Sequence, residues 1–134
     1  MSAPVEIIQG PNGPLAYIVH ASWRPQKTEF ITPSTLGQQL GMIVYPKGGV
    51  IQPHLHLPVV REVHGTLETL FVRSGRCEVD FYDEQKVLVG TRTLELGDVM
   101  LLTGGGHGFR MLEDTVLCEV KQGPYVETKD KERF

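Results

Sequence analysis

Short runs of alternating apolar and polar residues, broken every few positions by glycine or proline, leave this chain few folds to choose from. Alternation with period two is the mark of a half-buried strand, and the turn residues end each run before a helix could form. The 134 residues hold 15 Gly and 9 Pro, and no segment carries a sustained stripe of apolar residues at i, i+3 and i+4. Ser34–Gln39 offers one helical turn at most. Strands are expected at Leu15–Ala21, Glu29–Thr32, Gln39–Tyr45, Val50–Leu57, Thr66–Arg73 and Cys77–Tyr82, then at Val87–Leu94, Val99–Leu102, His107–Leu112 and Thr115–Lys121. Thr66–Arg73 and Cys77–Tyr82, joined by Ser74-Gly75-Arg76, read as a hairpin with Cys77, Val79 and Phe81 on one face. Pro53 puts its strand at an edge or a bulge. So many short strands without helices imply an all-β closed barrel or sandwich, which hides strand edges.

The length suits one domain with a single core. Residues 1–38 read as an N-terminal arm, 39–121 as the barrel and 122–134 as a polar C-terminal tail. The arm, rich in Pro and Gly over residues 1–14, is too polar for a core; it is either loose or paired with the sheet of a second subunit, and a homodimer is expected. Tyr45, Phe71, Phe81 and Phe109 read as core. Cys77 and Cys118 are far apart and read as buried free thiols. A net charge of −3 without any basic run argues against nucleic-acid binding. No apolar stretch is long enough to span a membrane, and the N-terminus lacks the layout of a signal peptide, so a cytoplasmic location is expected.

The chemistry concentrates in Gly48–Gly75 and around His107. In a strand, His54 and His56 point to one face, close enough for one ion to bridge. Taken alone, such a pair is also a common surface feature. Glu68 shares a face with Leu70 and Val72, where a carboxylate is costly unless it is paired or bound to a cation. His107 follows three glycines that let the backbone tuck its side chain inward. Three imidazoles and a carboxylate suit Fe, Mn, Ni, Co or Zn with open positions left over. Beside them, Arg61, Glu62 and His64 read either as solvated loop residues or as a substrate clamp and a mobile acid/base group. Arg110 lies one position off the face of His107 and points outward. Gly104–Gly106 is a bend, with no helix after it to bind phosphate.

Gly48-x5-His54-x-His56 … Glu68-x6-Gly75 resembles the first motif of the cupin superfamily. Gly97-Asp98, Thr103-x-Gly105 and His107 resemble the second. The likeness runs from about Gln39 to Lys121 and implies a double-stranded β-helix (jelly-roll) barrel. It assigns one divalent transition metal in the barrel mouth to His54, His56, Glu68 and His107. Three features depart from the pattern. Eleven residues separate His56 from Glu68 where three or four are usual. Thr103 stands in place of a proline, with one residue fewer before His107. Met111 stands in place of an asparagine. The long loop makes Glu62 and His64 alternative ligands to Glu68, although only Glu68 keeps the spacing to Gly75.

The tail, with Lys121–Tyr125 and Asp130–Phe134, is more loosely similar to the ends of small nucleotide-sugar 3,4-ketoisomerase-like cupins. The ligand set fits a metal-dependent isomerase, lyase or dioxygenase, with His64, Glu62 and Arg61 as catalytic candidates, and the likeness of the tail makes a small polar, carbohydrate-related substrate a candidate. The alternatives are a cupin that binds metal or a small ligand without turnover, and a metal-free sugar-nucleotide isomerase.

Overall fold

A computed structural model describes residues 4–126 and 130–134; the first three residues of the expected arm and residues 127–129 of the tail lie outside the described residues. Every element among the described residues is a strand. In order these are β1 Val5–Gly10, β2 Gly13–Val19, β3 Glu29–Phe30, β4 Gly41–Met42, β5 Glu68–Ser74, β6 Arg76–Tyr82, β7 Leu88–Glu95, β8 Val99–Leu102, β9 Gly106–Met111 and β10 Val116–Lys121. The chain divides into two compact units, Met1–Trp23 with Thr66–Phe134, and Arg24–Gly65.

The larger unit holds two antiparallel sheets, ordered β1-β2-β8-β5-β10 and β7-β6-β9. Both contribute to one core, in the manner of a β-sandwich. Ile8, Leu15, Ile18, Leu70, Val72, Met100 and Leu102 come from the first sheet, and Cys77, Val79, Phe81 and Leu94 from the second. β5 and β6 bury the apolar face that their alternation dictates: Leu70 and Val72 on one strand, Cys77, Val79 and Phe81 on the other, with Asp80 of β6 buried as well. β2, which lies between β1 and β8, instead buries all of Leu15–Val19.

Several expectations are corrected. Residues from the expected N-terminal arm are built into the core sheet: β1 pairs with β2, and β2 pairs with β8. The hairpin expected across Ser74-Gly75-Arg76 does not form. β5 is already flanked by β8 and β10, so β6 has no free edge to join and enters the other sheet. Gly75 makes this corner with φ +85°, and a Cβ there would collide with the Asp114 carbonyl. Cys77 is buried as expected, but Cys118 is exposed because β10 is an edge strand. Phe81 is buried and Phe109 packs against the core, whereas Tyr45 and Phe71 are exposed.

The smaller unit has one two-stranded sheet, β3 with β4. Gln39 organises its connecting loop by donating to the carbonyls of Pro33 and Leu36 and accepting from the Thr32 hydroxyl, so Ser34–Gln39 is a turn and not a helix. The strand expected at Val50–Leu57 is absent; no strand pairing includes residues 50–65 among the described residues. Pro53 and Pro58 remove two backbone donors from this segment.

Candidate functional site

In the larger unit, the glycine bend delivers His107 onto β9. Gly105 has φ +60°, and a Cβ there would strike the Tyr82 carbonyl, so only glycine fits the turn. His107 then pairs with Phe81 in the register of β9 on β6. Glu68 opens β5, opposite Leu102 on β8 and Lys121 on β10. The two sheets thus bring His107 Nε2 within 3.5 Å of Glu68 Oε2, both side chains being largely buried.

A second carboxylate joins them. Glu119 on β10 lies beside Glu68 across the pairing of β10 with β5, and its carboxyl group interacts with that of Glu68. The hydrogen bond from His107 outweighs the opposing effect of burial and, with help from Glu119 and Lys121, draws Glu68 down to about 2. Burial of its carboxyl end and the neighbouring Glu68 push Glu119 the other way. Lys121 lies over the Tyr125 ring, 4.3 Å from its centroid.

In the smaller unit, the His54 and His56 rings sit 5.3 Å apart, centroid to centroid, at 73°. They lie on one side of the chain although no strand forms. His54 Nδ1 is 2.8 Å from the Gln52 carbonyl. A carbonyl only accepts, so Nδ1 is the donor in this contact. Glu62 and His64 approach to 3.7 Å, with side chains 86% and 84% exposed. Arg61 is exposed as well. Arg110 points outward as expected, and is held by Asp80 and Glu78.

Within each unit, no three His, Cys, Asp or Glu side chains among the described residues form a metal-holding group. Each unit carries one pair from the expected set of four.

The sequence reading passed over a second histidine cluster. His20 Nε2 lies 2.7 Å from Glu6 Oε1 and His20 Nδ1 lies 3.6 Å from Asp98 Oδ2. Arg92 Nε donates to Glu6 Oε2 at 2.9 Å. Asp98 accepts the backbone N–H groups of Ala21 and Glu95, both at 2.7 Å. Burial would raise Glu6, but the hydrogen bonds from His20 and Arg92 prevail and hold it below its ordinary value. His20 and Asp98 line a cleft of about 300 Å³ with Ser22, Thr93 and Glu95. Only the pairing of β1 with β2 and the turn before β8 bring these distant residues together, so no spacing in the sequence marks them.

No known protein-family profile matches the chain, and neither the curated proteins nor the solved structures contain a match. Among the described residues, no helix is long and apolar enough to cross a membrane.

Proposed function

We propose that this chain is a small cupin-type metalloprotein. In this reading the all-β fold is a jelly-roll barrel, and His54, His56, Glu68 and His107 hold one divalent transition metal. The observation that carries the proposal is the His107–Glu68 pair, an imidazole nitrogen and a carboxylate oxygen 3.5 Å apart on two facing sheets of the larger unit.

The donor geometry fits a metal. Two ligands of one ion, each about 2.1 Å from it, lie roughly 3.0–3.4 Å apart; His107 and Glu68 are at 3.5 Å. Two imidazoles on one ion have ring centroids about 4.6–5.3 Å apart, taking each centroid as about 3.2 Å from the metal; His54 and His56 are at 5.3 Å. His54 also donates from Nδ1 to a backbone carbonyl, the kind of second partner that metal-ligating imidazoles have.

When bound, such an ion polarises a substrate carbonyl or activates water or dioxygen. Glu119 would orient Glu68. His64 with Glu62 would move a proton, imidazole being the side chain suited to this near neutrality, and Arg61 would hold an anionic or polar group of a small, carbohydrate-related substrate. The exposure of Glu62 and His64 favours a second reading, in which metal or ligand is bound without turnover.

Elemental analysis of protein purified without chelator or a His tag tests the proposal. About one equivalent of a transition metal is expected in the wild type, and much less in His54→Ala and in Glu68→Gln. A folded wild type that takes up no metal on titration would overturn it and bring forward the metal-free isomerase. With a metal present, the absence of turnover across keto-sugars and small hydroxy-carbonyl compounds would select the binding reading.

A further inference from the structure

We propose that the metal site takes a small 2-oxo or 2-hydroxy acid, whose carboxylate is bound by Lys121 while its neighbouring carbonyl or hydroxyl oxygen reaches the ion. This deepens the metal-site reading and rests on it. Every group in the argument belongs to the larger unit, with Glu68 and His107 as the ligands that this unit supplies.

The sheet places Lys121 at the site. β10 pairs with β5 in a register that sets Lys121 directly opposite Glu68, and Glu119 opposite Leu70. Residues two apart on a strand share a face, so Lys121, Glu119 and Leu117 lie on the side of Leu70 and Val72. That side faces the core, against which Leu117 packs. The facing sheet brings His107 to 3.5 Å from Glu68. Lys121 is half-buried beside this pair.

Its ammonium is held by a ring. Lys121 Nζ lies 4.3 Å from the centroid of Tyr125. None of the salt bridges among the described residues includes it, although a carboxylate stands opposite on β5. An aromatic face attracts a cation through its quadrupole and forms no hydrogen bond of the kind an oxygen would. The charge is therefore positioned, and N–H donors remain for an arriving oxyanion.

The charges ask for an anion once an ion is bound. Glu68 and Glu119 are the acids of the site, and Lys121 and Lys131 are the cations within electrostatic reach of them. Without a metal, the lysines offset the carboxylates. A divalent ion on Glu68 and His107 offsets both carboxylates by itself, which leaves the lysines unbalanced and Lys121 beside a like charge. A carboxylate set between Lys121 and the ion answers both charges. An acid with an oxygen on the next carbon gives that oxygen to the ion, the group such an ion polarises. For a carbohydrate-related substrate, this class is a sugar acid.

Cobalt(II) and oxalate test the assignment. Cobalt(II) reports its ligands through visible absorption, and oxalate carries adjacent oxygen donors in the layout of a 2-oxo acid. Wild type, Lys121→Met and Lys121→Arg are loaded with cobalt(II) and titrated with oxalate. Methionine keeps the length of the side chain and its contact with Tyr125 but not the charge. Oxalate affinity should fall at least about tenfold in Lys121→Met, as expected for one charge-assisted hydrogen bond. It should be largely restored in Lys121→Arg, whose guanidinium also binds carboxylates. Cobalt(II) affinity in Lys121→Met should be unchanged or higher, since a positive neighbour of the ion is gone.

Equal oxalate affinity in wild type and Lys121→Met would overturn the assignment and leave the metal reading intact. So would a cobalt-loaded wild type that forms no complex with oxalate. Weaker cobalt(II) binding by Lys121→Met would also overturn it, by making Lys121 a support for the ligands. A wild type that takes up no cobalt(II) defeats the metal reading, and this inference with it.

Discussion

Two histidine–carboxylate pairs occupy the larger unit, and they differ in how their charges are settled. His20 and Glu6 are 2.7 Å apart, and everything around them is answered from within: Arg92 balances Glu6, and both oxygens of Asp98 accept backbone N–H groups. His107 and Glu68 stand at 3.5 Å with a second carboxylate, Glu119, pressed against the first. The first cluster fastens β1, the β2 end and the turn before β8. In the second, His107 and Lys121 favour the ionised carboxylate of Glu68, while Glu119 is pushed towards its neutral form. Two pairs of the same residue types thus keep different company, one closed by an arginine and backbone donors, the other set beside a second carboxyl group.

Substitutions should divide along this line. The largest stability loss is expected from Asp98→Ala, which strands the N–H groups of Ala21 and Glu95 beside a buried position. About 3 kcal/mol should be lost in urea unfolding, with metal content per folded chain unchanged. A concurrent loss of metal would join the two clusters and end the contrast.

Glu68→Gln should act first on the metal. Metal affinity should fall by at least about 100-fold, since even outer ligand partners are worth 10–100-fold; because the folded pKa of Glu68 is held at about 2, some stability should be lost near neutral pH as well. A large drop in stability without an effect on metal would make Glu68 a structural residue like Glu6.

The third outcome concerns pH. The folded pKa of Glu6 is depressed below its ordinary 4.5, so its contribution to stability is present above that value and is lost as pH falls below it. The stability advantage of wild type over Glu6→Gln should therefore be constant near neutrality and shrink in acid below about 4.5, as read from urea midpoints across pH. An advantage that grows in acid would contradict the assigned partners. The smallest effect is expected from Glu119→Gln, which keeps a hydrogen-bonding side chain beside Glu68 but replaces its carboxyl group with an amide: a loss in metal affinity of roughly tenfold, measured by competition with a chelator.

Much of the fold was legible from alternation. Val99–Leu102 falls where its pattern put it, and Leu70, Val72, Cys77, Val79 and Phe81 bury the faces their spacing assigned. Pairing was less legible. Nothing local to Ser74-Gly75-Arg76 tells a hairpin from a corner between sheets; the choice was made by β8 and β10, remote in sequence, occupying both sides of β5. The first residues looked too polar for a core because only Ile8 of β1 is buried, yet β1 closes one edge of the main sheet. Of the site, Glu68 stood out as a charge on an apolar face and His107 by its glycines. Glu119 escaped notice because its significance lies in a cross-strand neighbour, and His20 because its partners are scattered from Glu6 to Asp98.

X-ray absorption at the zinc edge, on zinc-loaded wild type, His107→Ala and His20→Gln, addresses the contrast directly. The wild type should show three imidazoles and a carboxylate around the ion, His107→Ala one imidazole fewer, and His20→Gln a spectrum identical to the wild type. Loss of an imidazole in His20→Gln, with none lost in His107→Ala, would place the metal at the other cluster and contradict the assignment.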